Sequence, residues 1–300
     1  MQPTQQRGAS FTKEELEGMA RSVPFWFHPV ELGQGVVVPS VTTPEMMRER
    51  LATLHLPDFR GKSVLDIGAF DGFFSFEAER RGASRVVALD HFVWSLDMAE
   101  VSEWRRKKME EGKQQGQPEE STLWRPDELP GKRGFDTAHR ALGSRVESVV
   151  CDFMDADVGT FDIVLFMGVL YHVKDMLGAL RKVADMTREM AVVETDAVEF
   201  PGYEDAALCE FFESDELNFD PTNWWAPNVK ALAAMCRASG FDRVEVVHGA
   251  PSIEPARKSF FQKARGAAGS VLRELSLRDP LPAPEPVRFR AVVHAYKNRA

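Results

Sequence analysis

The segment from Ser63 to Asp90, SVLDIGAFDGFFSFEAERRGASRVVALD, constrains the fold of this chain more than any other. Val64, Leu65 and Ile67 read as a buried strand that runs into a turn bearing Gly68 and Gly72. A helix follows, and a second apolar strand, Val86 to Leu89, ends on the acidic Asp90. Such a strand-turn-helix-strand unit belongs to a parallel sheet, whose ligands lie across the carboxyl ends of the strands. Glycine carries no Cβ, so this turn allows a close approach of backbone to ligand. Asp90 stands 24 residues beyond Asp66, where a carboxylate can accept hydrogen bonds from ribose hydroxyls. The expected ligand is therefore a nucleoside.

A dinucleotide fingerprint needs glycines at positions 68, 70 and 73, and here 70 and 73 are both Phe. A pyrophosphate then has no open turn against a helix N-terminus. The spacing Asp66-x-Gly68-x-x-x-Gly72 instead resembles motif I of class I S-adenosylmethionine (SAM) methyltransferases, with Phe70 at the usual middle glycine. SAM carries no phosphate, so the turn has only an amino-acid moiety and a ribose to accommodate. By this resemblance the cofactor-binding candidates are Asp66, Gly68, Ala69, Phe70, Gly72, Asp90 and His91. Other readings stay open on the same pattern: a NAD-type oxidoreductase, or a non-catalytic nucleoside-binding protein.

Later segments fall in the order that such a fold requires. Val146 to Cys151 reads as a third strand, and by the resemblance Asp152 and Phe153 after it hold the adenine through a carboxylate and a backbone amide. Phe161 to Met167 is a buried fourth strand followed by Gly168-Val169-Leu170-Tyr171-His172; Met167 and Gly168 join the cofactor candidates. A helix (Met176 to Met186), a fifth strand (Ala191 to Thr195), a helix (Asn228 to Ser239) and two closing strands (Val244 to His248, Arg288 to Tyr296) complete the series. Alternating strands and helices imply a mostly parallel sheet with helices on both faces. The resemblance adds that the sheet has seven strands, in a Rossmann-like class I methyltransferase fold, with the last pair antiparallel.

The phrase Met167 to His172, with Trp225-x-Pro227-Asn228 and Arg290-Ala291-Val292-Val293, resembles the branch of tRNA wobble-uridine 5-oxyacetate (carboxymethyl-transferring) enzymes and their small-molecule relatives. In the wobble-uridine enzymes a tyrosine, an arginine and an upstream lysine hold the extra carboxylate of carboxy-SAM. Tyr171 and Arg290 match two of them, and the lysine position falls at Ser22. With one of three carboxylate ligands missing, ordinary SAM is the expected cofactor.

Charge bears on the acceptor. The net charge is −9 and the pI about 5.4, whereas nucleic-acid binding needs a basic surface. Basic runs exist at Arg105-Arg106-Lys107-Lys108 and from Arg257 to Arg278, each readable as a solvated helix face. The connection from Glu204 to Asp220 is acidic and, by the resemblance, walls the acceptor pocket, which would repel tRNA. The expected partner is a small-molecule methyl acceptor, not nucleic acid or membrane, with a homodimer open as an assembly. A tRNA-modifying transferase is the alternative. Hydrophobic residues make up 44% of the chain, enough for a large core. Cys151, Cys209 and Cys236 have neither disulfide nor metal spacing, which suits a reducing cytoplasm. No leader-like or membrane-spanning apolar run is present.

We expect an N-terminal helix and aromatic cover over residues 1–45 and a methyltransferase domain over 46–300, carrying an insertion at about 96–133. In the cover, Thr12 and Glu15 form a capping pair for a helix over residues 11–20. The insertion's centre, Gly112 to Glu120, is polar and reads as a loop of a functional lid. Trp26 and His28 either face the acceptor or plug the core. Methyl transfer asks the protein to orient the acceptor and remove its proton. His172, just past the fourth strand, is the first candidate base, because histidine titrates near neutrality. Glu194, at the end of the fifth strand, is its rival. Tyr171 could donate to the acceptor, Trp224 and Trp225 could stack on it, and Arg290 could contact it. No cluster has metal-ligand spacing.

Overall fold

The computed structural model describes residues 11–113, 116–118, 121–251 and 285–298. Its framework is a seven-stranded sheet of order β10-β11-β7-β6-β3-β4-β5. The strands are β3 (Ser63–Ile67), β4 (Arg85–Asp90), β5 (Glu147–Val150), β6 (Phe161–Met167), β7 (Thr187–Glu199), β10 (Arg243–His248) and β11 (Val287–Tyr296). β3 through β7 are mutually parallel, whereas β11 runs antiparallel to both β7 and β10. This is the doubly wound, antiparallel-ended sheet expected from the sequence. Alternation of side chains sorts the strands' apolar residues into two cores. Val64, Ala88, Leu165 and Val192 lie in one; Leu65, Leu89, Phe166 and Val193 lie in the other.

Helices α3 (Phe73–Arg80), α5 (Arg133–Leu142), α6 (Met176–Asp185) and α7 (Val229–Ala238) flank the sheet. Their ends follow local chemistry. Asp175 accepts the Gly178 amide ahead of α6, Asn228 accepts the Ala231 amide ahead of α7, and Gly143 closes α5 at φ +57°. β7 outruns its expected span at both ends. Its charged residues Asp196 and Glu199 would normally terminate a strand, but β11 pairs with it continuously from Val287↔Glu199 to Tyr296↔Met190. A further pair, β8 (Cys209–Phe211) and β9 (Trp225–Pro227), packs on the projecting end of β7 around Phe212, Leu217 and Val198.

The N-terminal cover shares the core of the sheet domain. Helix α1 (Lys13–Ser22) starts with the expected capping box of Thr12 and Glu15. The hairpin β1 (Glu31–Gly33) and β2 (Val36–Val37) turns through Gly33, Gln34 and Gly35, all at positive φ. Trp26, 2% exposed, is packed in that core and donates its indole N–H to the Ala20 carbonyl. It therefore packs as part of the core. His28 is likewise buried. Its Nδ1 lies 2.5 Å from Asp71 Oδ1, and Asp71 Oδ2 accepts the amides of Phe27 and His28 at 2.9 and 2.8 Å. Asp71 belongs to the Gly68–Gly72 turn, so one carboxylate ties the cover to that turn.

Helix α2 (Pro44–Leu54), capped by Thr43, joins cover to sheet. The insertion is not simply a polar loop, since Met98–Glu110 forms helix α4, with Asp97 capping the Glu100 amide. Residues 257–278 and most of the Pro-rich run that begins at Asp279 lie outside the described residues.

Removing the Asp71 carboxylate strands the amides of Phe27 and His28. Each unsatisfied buried donor costs about 1–3 kcal/mol. Asp71→Ala is expected to lower unfolding free energy by about 2–4 kcal/mol, measured by denaturant titration, and to expose the segment before Pro44 to protease. An unchanged midpoint and cleavage pattern would show that the cover is held by other contacts.

Candidate active site

Parallel strands bring their carboxyl ends to one edge, and the cofactor candidates gather there. The Gly68 amide donates to Leu89 O at 2.8 Å, Cys151 N to Asp90 O at 3.3 Å, and Gly168 N to Glu194 O at 3.0 Å. Both motif glycines sit at positive φ, but their bareness serves packing. A Cβ on Gly68 would stand 2.5 Å from Val169 Cγ2, and one on Gly72 would strike Phe76 and Phe135. The Cβ direction at each glycine is thus filled by protein.

Phe70 adopts the left-handed backbone, φ +51°, that a glycine would supply at the motif's middle position. Such a conformation costs a residue with a Cβ about 1–2 kcal/mol. Its surroundings offset this. The ring stacks with Phe25 and Phe27 at centroid distances of 6.2 and 5.4 Å. The amide donates to Asp90 Oδ2 at 3.0 Å, and the carbonyl accepts Trp94 Nε1 at 2.6 Å.

Asp90 also accepts the Val93 amide at 3.1 Å; burial pushes its carboxyl up to about 6 despite these donors. Asp66 is pushed to about 6 by burial too, while accepting the Ser75 hydroxyl at 2.6 Å. Asp152 is exposed and accepts the Met154 amide; Phe153 packs on Phe166, and His91 meets Trp124 edge to face. This donor set fits SAM: carboxylates suit hydroxyl and ammonium groups and oppose a pyrophosphate. Asp90 would hold the ribose and Asp152 the adenine.

Beyond Met167 and Gly168 the edge becomes a charged cluster. Glu194, 2% exposed, accepts Arg50 Nε and Nη2 at 3.1 and 2.5 Å and Arg290 Nε and Nη2 at 3.2 and 2.7 Å. Arg290 Nη1 reaches Asp196 Oδ2 at 3.1 Å, and its guanidinium lies 5.1 Å from the Tyr171 ring centroid. Burial alone would raise the Glu194 carboxyl, but Arg290 and Arg50 overcome it and hold it at about 2. So strongly stabilised an anion is a poor proton acceptor. Arg50 was not among the sequence candidates, for no local pattern marks a helix residue whose partner lies 144 positions away. Burial pushes the Tyr171 phenol up, so it remains a neutral donor.

His172 follows Tyr171 in a 3-10 turn after β6. Its Nδ1 lies 2.8 Å from Thr222 Oγ1 and 3.2 Å from the Thr222 carbonyl. Burial lowers its pKa, against an opposing pull from Asp220, so the ring is neutral at neutral pH. Trp224 donates its amide to Tyr171 O at 2.8 Å and has Lys174 Nζ 4.6 Å from its ring centroid. Trp225 turns its indole N–H to Lys174 O and packs on Phe211. Among the described residues no group of three His, Cys, Asp or Glu side chains could hold a metal ion, and no helix is long and apolar enough to cross a membrane.

Sheet order, antiparallel closing strand and edge chemistry together define a class I SAM-dependent methyltransferase. The chain belongs to the methyltransferase-domain family, whose pattern it matches over residues 42–246. It is similar to the tRNA U34 carboxymethyltransferase of Alteromonas mediterranea, with 21% identity over 79% of this chain and 61% of that protein. The enzyme of the same name from Ectopseudomonas mendocina is 27% identical over 78% of this chain and 60% of its own. The chain thus spans about three fifths of the length of these relatives. In fold it is similar to the N-terminal domain of EvdMO1, solved in the presence of S-adenosylhomocysteine and D-fucose: TM-score 0.54, 15% identity, 97% of this chain and 100% of that one.

The Glu194 pK supports an acid-stability test. Its folded value of about 2 lies below its ordinary 4.5, so its stabilisation is present above about 4.5 and lost as pH falls through about 2. Glu194→Gln should lower stability at pH 7 by about 2–4 kcal/mol, since two partly buried guanidinia lose their partner. The gap in unfolding free energy from wild type should shrink between pH 4.5 and 2. A gap independent of pH would contradict this assignment.

Proposed function

We propose that the chain transfers the SAM methyl group to an oxygen or nitrogen of a small-molecule acceptor, with His172 removing the acceptor's proton. When bound, SAM supplies an electrophilic methyl and its own leaving group. Asp90 and Asp152 hold the nucleoside, the Phe25–Phe27–Phe70 stack walls the turn, and Tyr171 donates beside the acceptor. His172, neutral and uncharged by burial, offers Nε2 as base.

One observation carries the choice of cofactor. Arg290, which the resemblance would assign to an extra carboxylate, is already engaged by Glu194 and Asp196. Arg50 and Arg290 balance Glu194 and Asp196, so the cluster has no spare positive charge for carboxy-SAM. For the acceptor, the net charge of −9 supports a small molecule. Of the basic run on α4, Arg105 pairs with Asp220, Arg106 with Glu103 and Glu110, and Lys107 with Glu103. A second reading, wobble-uridine modification, rests on the similarity to tRNA U34 carboxymethyltransferases.

Methyl-labelled SAM offered a metabolite extract and, separately, bulk tRNA should label a small molecule and leave the tRNA unlabelled. Label in tRNA would favour the second reading. With the acceptor so found, His172→Ala should slow transfer by about 10²–10⁴-fold, the range of general base catalysis, and abolish the acidic limb of the rate profile. Near-normal turnover would remove His172 from the role.

Calorimetry with S-adenosylhomocysteine tests the ribose ligand independently. Asp90→Ala should weaken binding by about 1.5–3 kcal/mol, the value of a charge-assisted hydrogen bond. Wild-type affinity should fall as pH drops through about 6, where the Asp90 carboxyl takes up its proton. An affinity unchanged by both would place the ribose elsewhere.

A further inference from the structure

The insertion helix α4 reaches the proposed base through a continuous chain of charge and hydrogen bonds. Arg105 Nη2 lies 2.7 Å from Asp220 Oδ1. That same carboxylate oxygen accepts the Thr222 hydroxyl at 2.7 Å and the Thr222 amide at 3.0 Å. Thr222 Oγ1 then lies 2.8 Å from His172 Nδ1. A second contact from the insertion, Gln117 Nε2 to the Pro221 carbonyl at 2.6 Å, grips the intervening residue.

Proton bookkeeping along this chain has one solution. Asp220 is ionised: burial works to raise its carboxyl, and the Arg105 guanidinium and the hydrogen bonds from Thr222 act against it to hold it below its ordinary value. An ionised carboxylate only accepts and, being charged, is a stronger acceptor than a neutral ring nitrogen, so the Thr222 hydroxyl donates to Asp220. Thr222 Oγ1 can therefore only accept from His172. The Thr222 carbonyl, 3.2 Å from the same Nδ1, can only accept as well. Both partners demand a proton on Nδ1, which leaves the lone pair of the neutral ring on Nε2.

We propose that Arg105 is a positioning residue: acting through Asp220 and Thr222, it holds His172 as the Nδ1-protonated tautomer, with Nε2 as its basic nitrogen. This deepens the reading of His172 as the base and rests on it. It also gives the insertion a task. Through Arg105 and Gln117 the insertion holds the residue 220–222 loop against the base. Asp220 and Arg105 pull the His172 titration in opposite directions, upward and downward respectively, and Asp196 on β7 also pulls it upward. Tyr171, a neutral phenol at 4.3 Å between ring centroids, is the other titratable neighbour.

Nitrogen NMR of histidine-labelled full-length protein reads tautomer and titration midpoint directly, without an acceptor. The neutral His172 ring should carry its proton on Nδ1. Arg105→Gln should raise the midpoint and Asp220→Asn lower it, each by about one pH unit for loss of a nearby charge. Arg105→Lys should keep the wild-type midpoint, and Thr222→Val should weaken the tautomer preference that Thr222→Ser retains. A merely structural role for Arg105 would move neither midpoint in this opposed fashion. A neutral ring protonated on Nε2 in the wild type overturns the proposal whatever the variants do. So do midpoints that stay fixed or move together in folded Arg105→Gln and Asp220→Asn. If the NMR pattern holds while His172→Ala keeps its turnover, the relay stands and the assignment of His172 as base falls.

Discussion

A carboxylate buried between two guanidinia organises the carboxyl edge of this sheet. Glu194 ties α2, through Arg50, and β11, through Arg290, to β7. Charges so far from water persist only when paired and hydrogen-bonded, and each oxygen of Glu194 has two donors. The arrangement has a chemical consequence. A Cβ on Gly168 would stand 3.5 Å from Arg290 Nη2 and 3.6 Å from both Arg50 Nη2 and Tyr171 Oη. The space next to that glycine is thus rich in donors yet electrically neutral. Polar groups can be oriented there, but an additional anion would have to compete with Glu194.

Two further contacts fasten accessory pieces to this edge, both through single carboxylates. Asp71 clamps the aromatic cover onto the Gly68–Gly72 turn. Asp220 receives the insertion helix through Arg105. The cover is fastened to the turn that carries Phe70, and the insertion, through Asp220 and Thr222, to His172.

The sequence was most legible where physics acts locally. Apolar runs, the acidic strand end at Asp90, the capping box of Thr12 and Glu15, and the alternation of strands with helices all led to the observed sheet. Class and cofactor followed from one turn and one phrase. The site was harder to read, because its interactions are long-range. Arg50 and Glu194 are 144 residues apart, and Arg105 and Asp220 are 115 apart. Arg105 sat within a basic run that looked uniformly solvated, yet it turns inward while its neighbours pair on the surface. Gly68 and Gly72 take positive φ in the turn where the pattern places them, and their missing Cβ atoms admit Val169, Phe76 and Phe135. Phe70 showed the converse: a residue that breaks the motif's pattern still takes the backbone conformation the motif requires. Stacking that no spacing rule encodes holds it there.

In the proposed function Glu194 consumes the positive charge of Arg50 and Arg290. Competition calorimetry of SAM against carboxy-SAM on the wild-type protein tests it most directly. SAM should bind at least as tightly as carboxy-SAM, and Glu194→Gln, where it folds, should shift the balance toward the carboxylated cofactor. A wild-type protein that binds carboxy-SAM distinctly more tightly than SAM would contradict it, because Arg50 and Arg290 would then be free to hold a second carboxylate.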